Sequence, residues 1–162
     1  MKSLHFLFLA LVLLVVALAA NVPTGCVTIK NRHEGRFLAH SISTHDKDRR
    51  HVSFCTDPQP WTITAEGANF RIRNNKHGEE LFESQQKFNG NYVFLWIKKS
   101  IINDGGASWK ITDSGNPGYF HIKNVKFPHC LYTQGGTDWV AAYESCDTAK
   151  YEWRIVKCYS LH

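Results

Sequence analysis

FHIKN, residues 120–124, is one of three versions of a single short phrase in this chain of 162 residues. Val27-Thr-Ile29-Lys-Asn31 and Phe70-Arg-Ile72-Arg-Asn74 have the same order: apolar, polar, isoleucine, basic, asparagine. A leucine stands seven residues after each asparagine, at Leu38, Leu81 and Leu131. Further out, each copy has an apolar run (residues 52–54, 92–97 and 140–143) and then closes on Trp-x-Ile: Trp61-Thr-Ile63, Trp109-Lys-Ile111 and Trp153-Arg-Ile155. The asparagines are 43 and 50 residues apart. Self-similarity at a near-constant period is the mark of a fold assembled from one repeated supersecondary unit.

Within each unit apolar and polar residues alternate over four to six positions, the pattern of a strand with one face buried. Asp104-Gly-Gly106, Gly115-Asn-Pro-Gly118 and Gly135-Gly136 supply turns. No segment beyond the N-terminus sustains helical periodicity, so the expected class is all-β. Twelve short strands in three copies resemble the β-trefoil, which implies six strands closing a barrel and six forming a hairpin cap. Closure removes the sheet edges that an open arrangement would expose. The three tryptophans, with the isoleucines two residues on, are expected to fill the barrel in equivalent layers.

The N-terminus reads differently. Residues 6–20 are uninterrupted apolar sequence ending in small residues, after a start that carries Lys2. That is the pattern of a secretory signal peptide, with cleavage expected after Ala19 or Ala20, and it is short for a membrane span. Residues 21–162 are then a single exported domain with repeats 26–67, 68–115 and 116–158. Without Lys2 the chain carries 18 Lys and Arg against 14 Asp and Glu. Net charge by repeat is +1, +2 and +1, the even spread of a solvated surface, and no basic stripe of the kind a nucleic-acid binder shows is visible. Five cysteines in an exported chain suggest two disulfides and one free thiol.

Among trefoils the chain most resembles ricin-type lectin domains. Repeats of that family carry Cys-x-Asp after the first strand, a later cysteine that pairs back, and a closing Gln-x-Trp. Repeat three has Cys130-Leu131 and Cys146 at matching separation. Repeat one has Cys55 and Gln59-Pro60-Trp61, with Phe37 where the partner cysteine belongs. Repeat two keeps only Trp109 and has Ala107 in place of the glutamine. The resemblance implies a Cys130–Cys146 disulfide. Cys26 and Cys158, on first and last strands that are neighbours in a trefoil, are expected to form the other, leaving Cys55 free. The family's sugar-binding Asp is replaced by Ala39, Phe82 and Tyr132, and its Asn by Pro58, Gly106 and Lys150. Ser53 and Glu144 occupy the stacking position before the second cysteine. Charged acceptors make the strong hydrogen bonds, so a ricin-like galactose site is not expected in any repeat.

Two other surfaces remain. Trp139, with Asp138, Gln134 and Tyr132, can stack on and hydrogen-bond a ring; equally, Trp139 can start the next strand and pack under its own loop. Lys30, Arg71, Arg73 and Lys123 alternate with apolar residues and should point out of the barrel. Arg49 and Arg50, read as part of a loop, form a denser patch with Arg32, Arg36 and Lys47. Trefoils of the fibroblast growth factor type hold heparin on such cations.

Catalysis is not indicated. Cys55 with His40, His45 and His51 is no metal or nucleophile cluster, because the histidines read as a polar loop and match no zinc spacing, and no Gly-x-Ser-x-Gly, His-Glu-x-x-His or phosphate loop occurs. The expectation is a secreted, non-catalytic, monomeric binding protein without metal or cofactor. Its partner would be an acidic or sulfated glycan or heparin-like polyanion, or alternatively a host or target protein. The other reading is a protease inhibitor resembling the Kunitz soybean type, presenting residues 85–91 or 45–51. A small, basic, secreted chain rich in tryptophan and cysteine also resembles the expanded salivary families of blood-feeding insects.

Overall fold

The structure, a computed structural model, describes residues 21–87, 91–97, 100–134 and 138–160. The expected signal segment and the Gly135-Gly136 turn lie outside these residues. Each repeat contributes four strands. In the first they are β1 (Gly25–Asn31), β2 (Phe37–Thr44), β3 (Arg49–Cys55) and β4 (Trp61–Glu66). The second has β5 (Asn69–Asn74), β6 (Glu80–Lys87), β7 (Asn91–Trp96) and β8 (Trp109–Asp113). The third has β9 (Tyr119–Asn124), β10 (Cys130–Thr133), β11 (Val140–Tyr143) and β12 (Trp153–Lys157).

Six of these close a ring. β1 pairs with β12, β12 with β9, β9 with β8, β8 with β5, β5 with β4, and β4 returns to β1. The other six form the hairpins β2–β3, β6–β7 and β10–β11, joined through β3–β7 and β7–β11. This is the β-trefoil.

The repeated phrase acquires its physical reasons here. Its alternate apolar residues Val27, Ile29, Ile72, Phe120 and Ile122 are buried in the barrel, while Lys30, Arg73 and Lys123 lie on the outward positions between them. Each closing tryptophan is fully buried and donates its indole N–H to the leucine of its own repeat. Trp61 to Leu38 O, Trp109 to Leu81 O and Trp153 to Leu131 O are all 2.9 Å. The pair thus joins the second and fourth strands of a unit, and the Leu carbonyl is satisfied by a ring in the core.

The asparagine is a turn-former. Asn31 Oδ1 accepts the amides of His33 and Glu34, Asn74 Oδ1 those of Lys76 and His77, and Asn124 Oδ1 those of Lys126 and Phe127, all at 2.9–3.2 Å. A short side chain ending in a carbonyl oxygen suits this cap from inside the sheet. Two disulfides, Cys26–Cys158 and Cys130–Cys146, have the pairing expected, and Cys55 is free.

Candidate functional site

The β10–β11 hairpin places Tyr132 opposite Ala141, a small residue that leaves room over the strand pair. Tyr143 fills part of that room, its ring 5.0 Å from that of Tyr132 and nearly perpendicular to it. A 3-10 turn at Ala149–Tyr151, held by Tyr151 N–H to Thr148 O at 2.9 Å, brings Tyr151 to 4.5 Å from the same ring. Cys146 is disulfide-bonded to Cys130 at the start of β10, so the bridge ties this turn to the strand that carries Tyr132.

A cleft of about 390 Å³ opens beside the tyrosines, lined by His33, Tyr132, Asp147, Lys150 and Tyr151 among others. The Lys150 ammonium lies 6.0 Å from the centre of the Tyr132 ring. On the other side of Tyr151 a second cleft, of about 630 Å³, is lined by Gln85, His129, Tyr143, Glu144 and Ser145. Tyr151 is the wall between them; burial raises its phenol pKa, so it stays a neutral hydroxyl. Aromatic faces with a carboxylate, an ammonium and hydroxyls at their edges suit a ring that is apolar on its faces and hydroxylated at its rim.

Of these residues the sequence had pointed only to Tyr132. Asp147 supplies a carboxylate from across the cleft, whereas the lectin-like motif would have placed one at position 132. Its adjacency to Cys146 was the available signal. Tyr143 and Tyr151 carried none, because only the hairpin register and the disulfide bring them together.

The four residues expected to form one stacking site are divided among different contacts. Asp138 accepts a hydrogen bond from Arg36 at 2.9 Å. Trp139, 41% exposed, stands directly before β11 and rests edge-on against His51, ring centres 3.8 Å apart. Gln134 is half-buried at the end of the hairpin. The strand registers put His51 and Trp139 at matching places in their repeats, each directly before the equivalent valines Val52 and Val140. Trp139 is therefore a lid over the junction of the hairpins. Two expectations are corrected here. His51 is buried in β3, where the sequence suggested a polar loop, and burial holds its pKa down to about 4. Arg49 and Arg50 also belong to β3 and form no free-standing loop patch.

Most of the expected anion-binding cations meet carboxylates of the protein itself. Arg49 donates to Asp46 at 2.8 Å and Arg50 to Glu79 at 2.8 Å. Arg71 bridges Glu66 at 2.7 Å and Glu80 at 3.2 Å, and Arg73 approaches Glu80 at 3.8 Å. Lys30 has no ion pair among the described residues and lies over the Phe37 ring at 5.1 Å. Of the 45–51 segment, residues 45–48 are a tight β2–β3 connection closed by His45 N–H to Arg49 O at 2.7 Å, and residues 49–51 belong to β3. Part of the 85–91 segment, residues 88–90, lies outside the described residues. No group of three or more His, Cys, Asp or Glu able to hold a metal occurs among the described residues. The Cys55 thiol donates to Asp57 O at 2.7 Å, and burial raises its pKa, the opposite of nucleophile activation.

A closed six-strand barrel with three matched hairpins defines a β-trefoil, and the tyrosine cleft is set in its third repeat. No family model matches the sequence, and no curated protein does. Among solved structures, a salivary protein from Culex quinquefasciatus in the Cysteine and Tryptophan-Rich (CWRC) family is 93% identical. That match covers 88% of this chain and 99% of the other, with a TM-score of 0.85. The chain belongs to the Cysteine and Tryptophan-Rich family. The relative's salivary origin implies secretion, which agrees with the two disulfides. The fold is shared with the designed threefold-symmetric ThreeFoil (18% identity, 82% and 99% coverage, TM-score 0.70). It is shared also with SeviL, in a structure described as bound to asialo-GM1 saccharide (17% identity, 85% and 100% coverage, TM-score 0.62). A proteinase inhibitor from Coprinopsis cinerea has it too (10% identity, 84% and 99% coverage, TM-score 0.65).

Proposed function

We propose that the protein is a secreted, non-catalytic carbohydrate-binding protein whose third repeat holds a sugar against Tyr132 and Tyr151, with Asp147 and Lys150 at the rim. The observation that carries this reading is the tyrosine cleft itself: the half-buried Tyr132 ring, flanked by Tyr143 at right angles and by the buried, tilted Tyr151, with polar groups of both signs lining one opening. A saccharide-bound structure among the fold neighbours supports it. Lys150 stands where the ricin-type motif has an asparagine, and Tyr132 where it has the aspartate, so neutral galactosides lose their acceptor and acidic or sulfated glycans gain a cation. The inhibitor reading is less favoured, because the 45–51 segment is a four-residue turn running into β3 and not a long presented loop.

The test is a glycan array probed with the mature chain and with Tyr132→Ala and Asp147→Asn. Loss of a stacking ring, worth about 0.5–1.5 kcal/mol, should weaken binding roughly two- to tenfold, with unchanged circular dichroism. Free galactose should not compete. Array binding that survives both substitutions, or elution by galactose, would refute this site.

A further inference from the structure

Four strands of the barrel, β8, β9, β12 and β1, carry one carboxylate among them, Asp113 at the end of β8. Their outward positions carry Lys30, Lys110, Lys123 and Arg154, and none of the four forms an ion pair within the described residues. The registers set them face to face: Lys30 is directly opposite Arg154, and Lys110 directly opposite Lys123. Like charges opposed across strands are destabilising. The remaining two barrel strands show the contrary arrangement, with Arg73 opposite Glu80 and Arg71 bonded to Glu66 and Glu80. Glu152, close to the cationic strands, is occupied by Arg32 and Asn116, and Asp113 caps its own turn through Gly115 N–H at 2.7 Å. Charge that is even along the sequence is thus uneven around the barrel.

We infer that the β8–β9–β12–β1 face is a binding surface for a linear sulfated polysaccharide, separate from the tyrosine cleft and independent of it. Arg154 is paired with Tyr119 on β9, and Tyr119 is four residues from Lys123. The two cation pairs are therefore about 13 Å apart along the strand direction. A single sulfate can engage one pair; a chain bearing repeated sulfates can engage both. Nucleic acid is disfavoured, because single strands need exposed rings for base stacking. Of the outward rings of β9, His121 is only half-exposed and Tyr119 has the Arg32 guanidinium 5.4 Å from its ring centre.

The experiment is retention on immobilised heparin, with affinities for heparin fragments of defined length. It uses the mature chain, Lys30→Gln/Arg154→Gln, Lys110→Gln/Lys123→Gln, and the fourfold combination. Lys47→Gln/Lys76→Gln removes equal charge from exposed positions outside this face. Wild type should bind at low ionic strength and elute well below 1 M salt, where the Debye length has shrunk to about 3 Å. Each double variant should elute earlier and bind long fragments roughly tenfold more weakly, with a shallower salt dependence. The fourfold variant should flow through while melting no lower than wild type, since it removes like-charge opposition. The Lys47/Lys76 variant and Tyr132→Ala should behave like wild type, which separates this surface from the sugar cleft. The inference is overturned if the fourfold variant is retained like wild type, or if Lys47→Gln/Lys76→Gln loses as much. It is also overturned if a disaccharide binds as tightly as a long fragment, or if duplex DNA of equal charge binds as well as heparin.

Discussion

Replacing Trp109 by alanine removes a fully buried ring and its hydrogen bond to Leu81 O. Emptying such a site costs about 3–5 kcal/mol, because the surrounding barrel relaxes only partly. Of that loss, about 1–3 kcal/mol belongs to the Leu81 carbonyl, which is left in the core without a donor. Trp109→Phe separates the terms: it keeps most of the ring and loses only the N–H, so it should cost about 1–3 kcal/mol. Trp61→Phe and Trp153→Phe should match it, since each indole makes the same 2.9 Å bond to its own leucine. Trp139→Ala is the contrast. That ring is 41% exposed and touches His51 by its edge, worth only about 0.5–1.5 kcal/mol. Guanidinium titrations with the disulfides intact would measure all five, with unchanged m-values licensing the comparison. Equal losses for Trp109→Ala and Trp139→Ala would refute the assignment of Trp139 to the surface. Unequal losses among the three phenylalanine variants would refute the equivalence of the layers.

Removing Cys130 and Cys146 together opens a loop of 16 residues' separation and should cost about 3 kcal/mol by loop entropy, read as a drop in denaturation midpoint. It should also weaken glycan binding, because the bridge positions the Asp147–Tyr151 turn. Glu83 is buried with one carboxyl oxygen 2.5 Å from His129 Nδ1 and the other without a partner, and burial pushes its pKa up to about 8. A folded-state value above the unfolded one means that the folded chain holds the extra proton. This contribution is present in acid and is lost as pH rises towards 8. Glu83→Gln, which imitates the neutral acid, should flatten stability between pH 5 and 8; a slope unchanged from wild type would show that burial does not control this carboxyl.

The strand pattern, the three-unit organisation and the buried tryptophans were legible in the sequence because their signals are local or repeated, and the two disulfide pairs followed from the resemblance to a trefoil that those signals supported. Alternation shows which face of a strand is buried, and an asparagine that caps amides two and three residues ahead needs no distant partner. The remaining features depend on pairings across long stretches of chain. Trp109 meets Leu81 O from 28 residues away, and nothing nearby explains why leucine stands where it does. Tyr132, Tyr143 and Tyr151 become one cleft only when the β10–β11 register and the Cys130–Cys146 bridge are in place. The cations show the division most plainly. Summed along the chain, charge is even, and Arg49, Arg50, Arg71 and Arg73 look as available as Lys30. Folding gives those four arginines carboxylate partners and sets Lys30 opposite Arg154, and Lys110 opposite Lys123. Electrostatics acts through distance in space, which barrel closure decides and residue order does not.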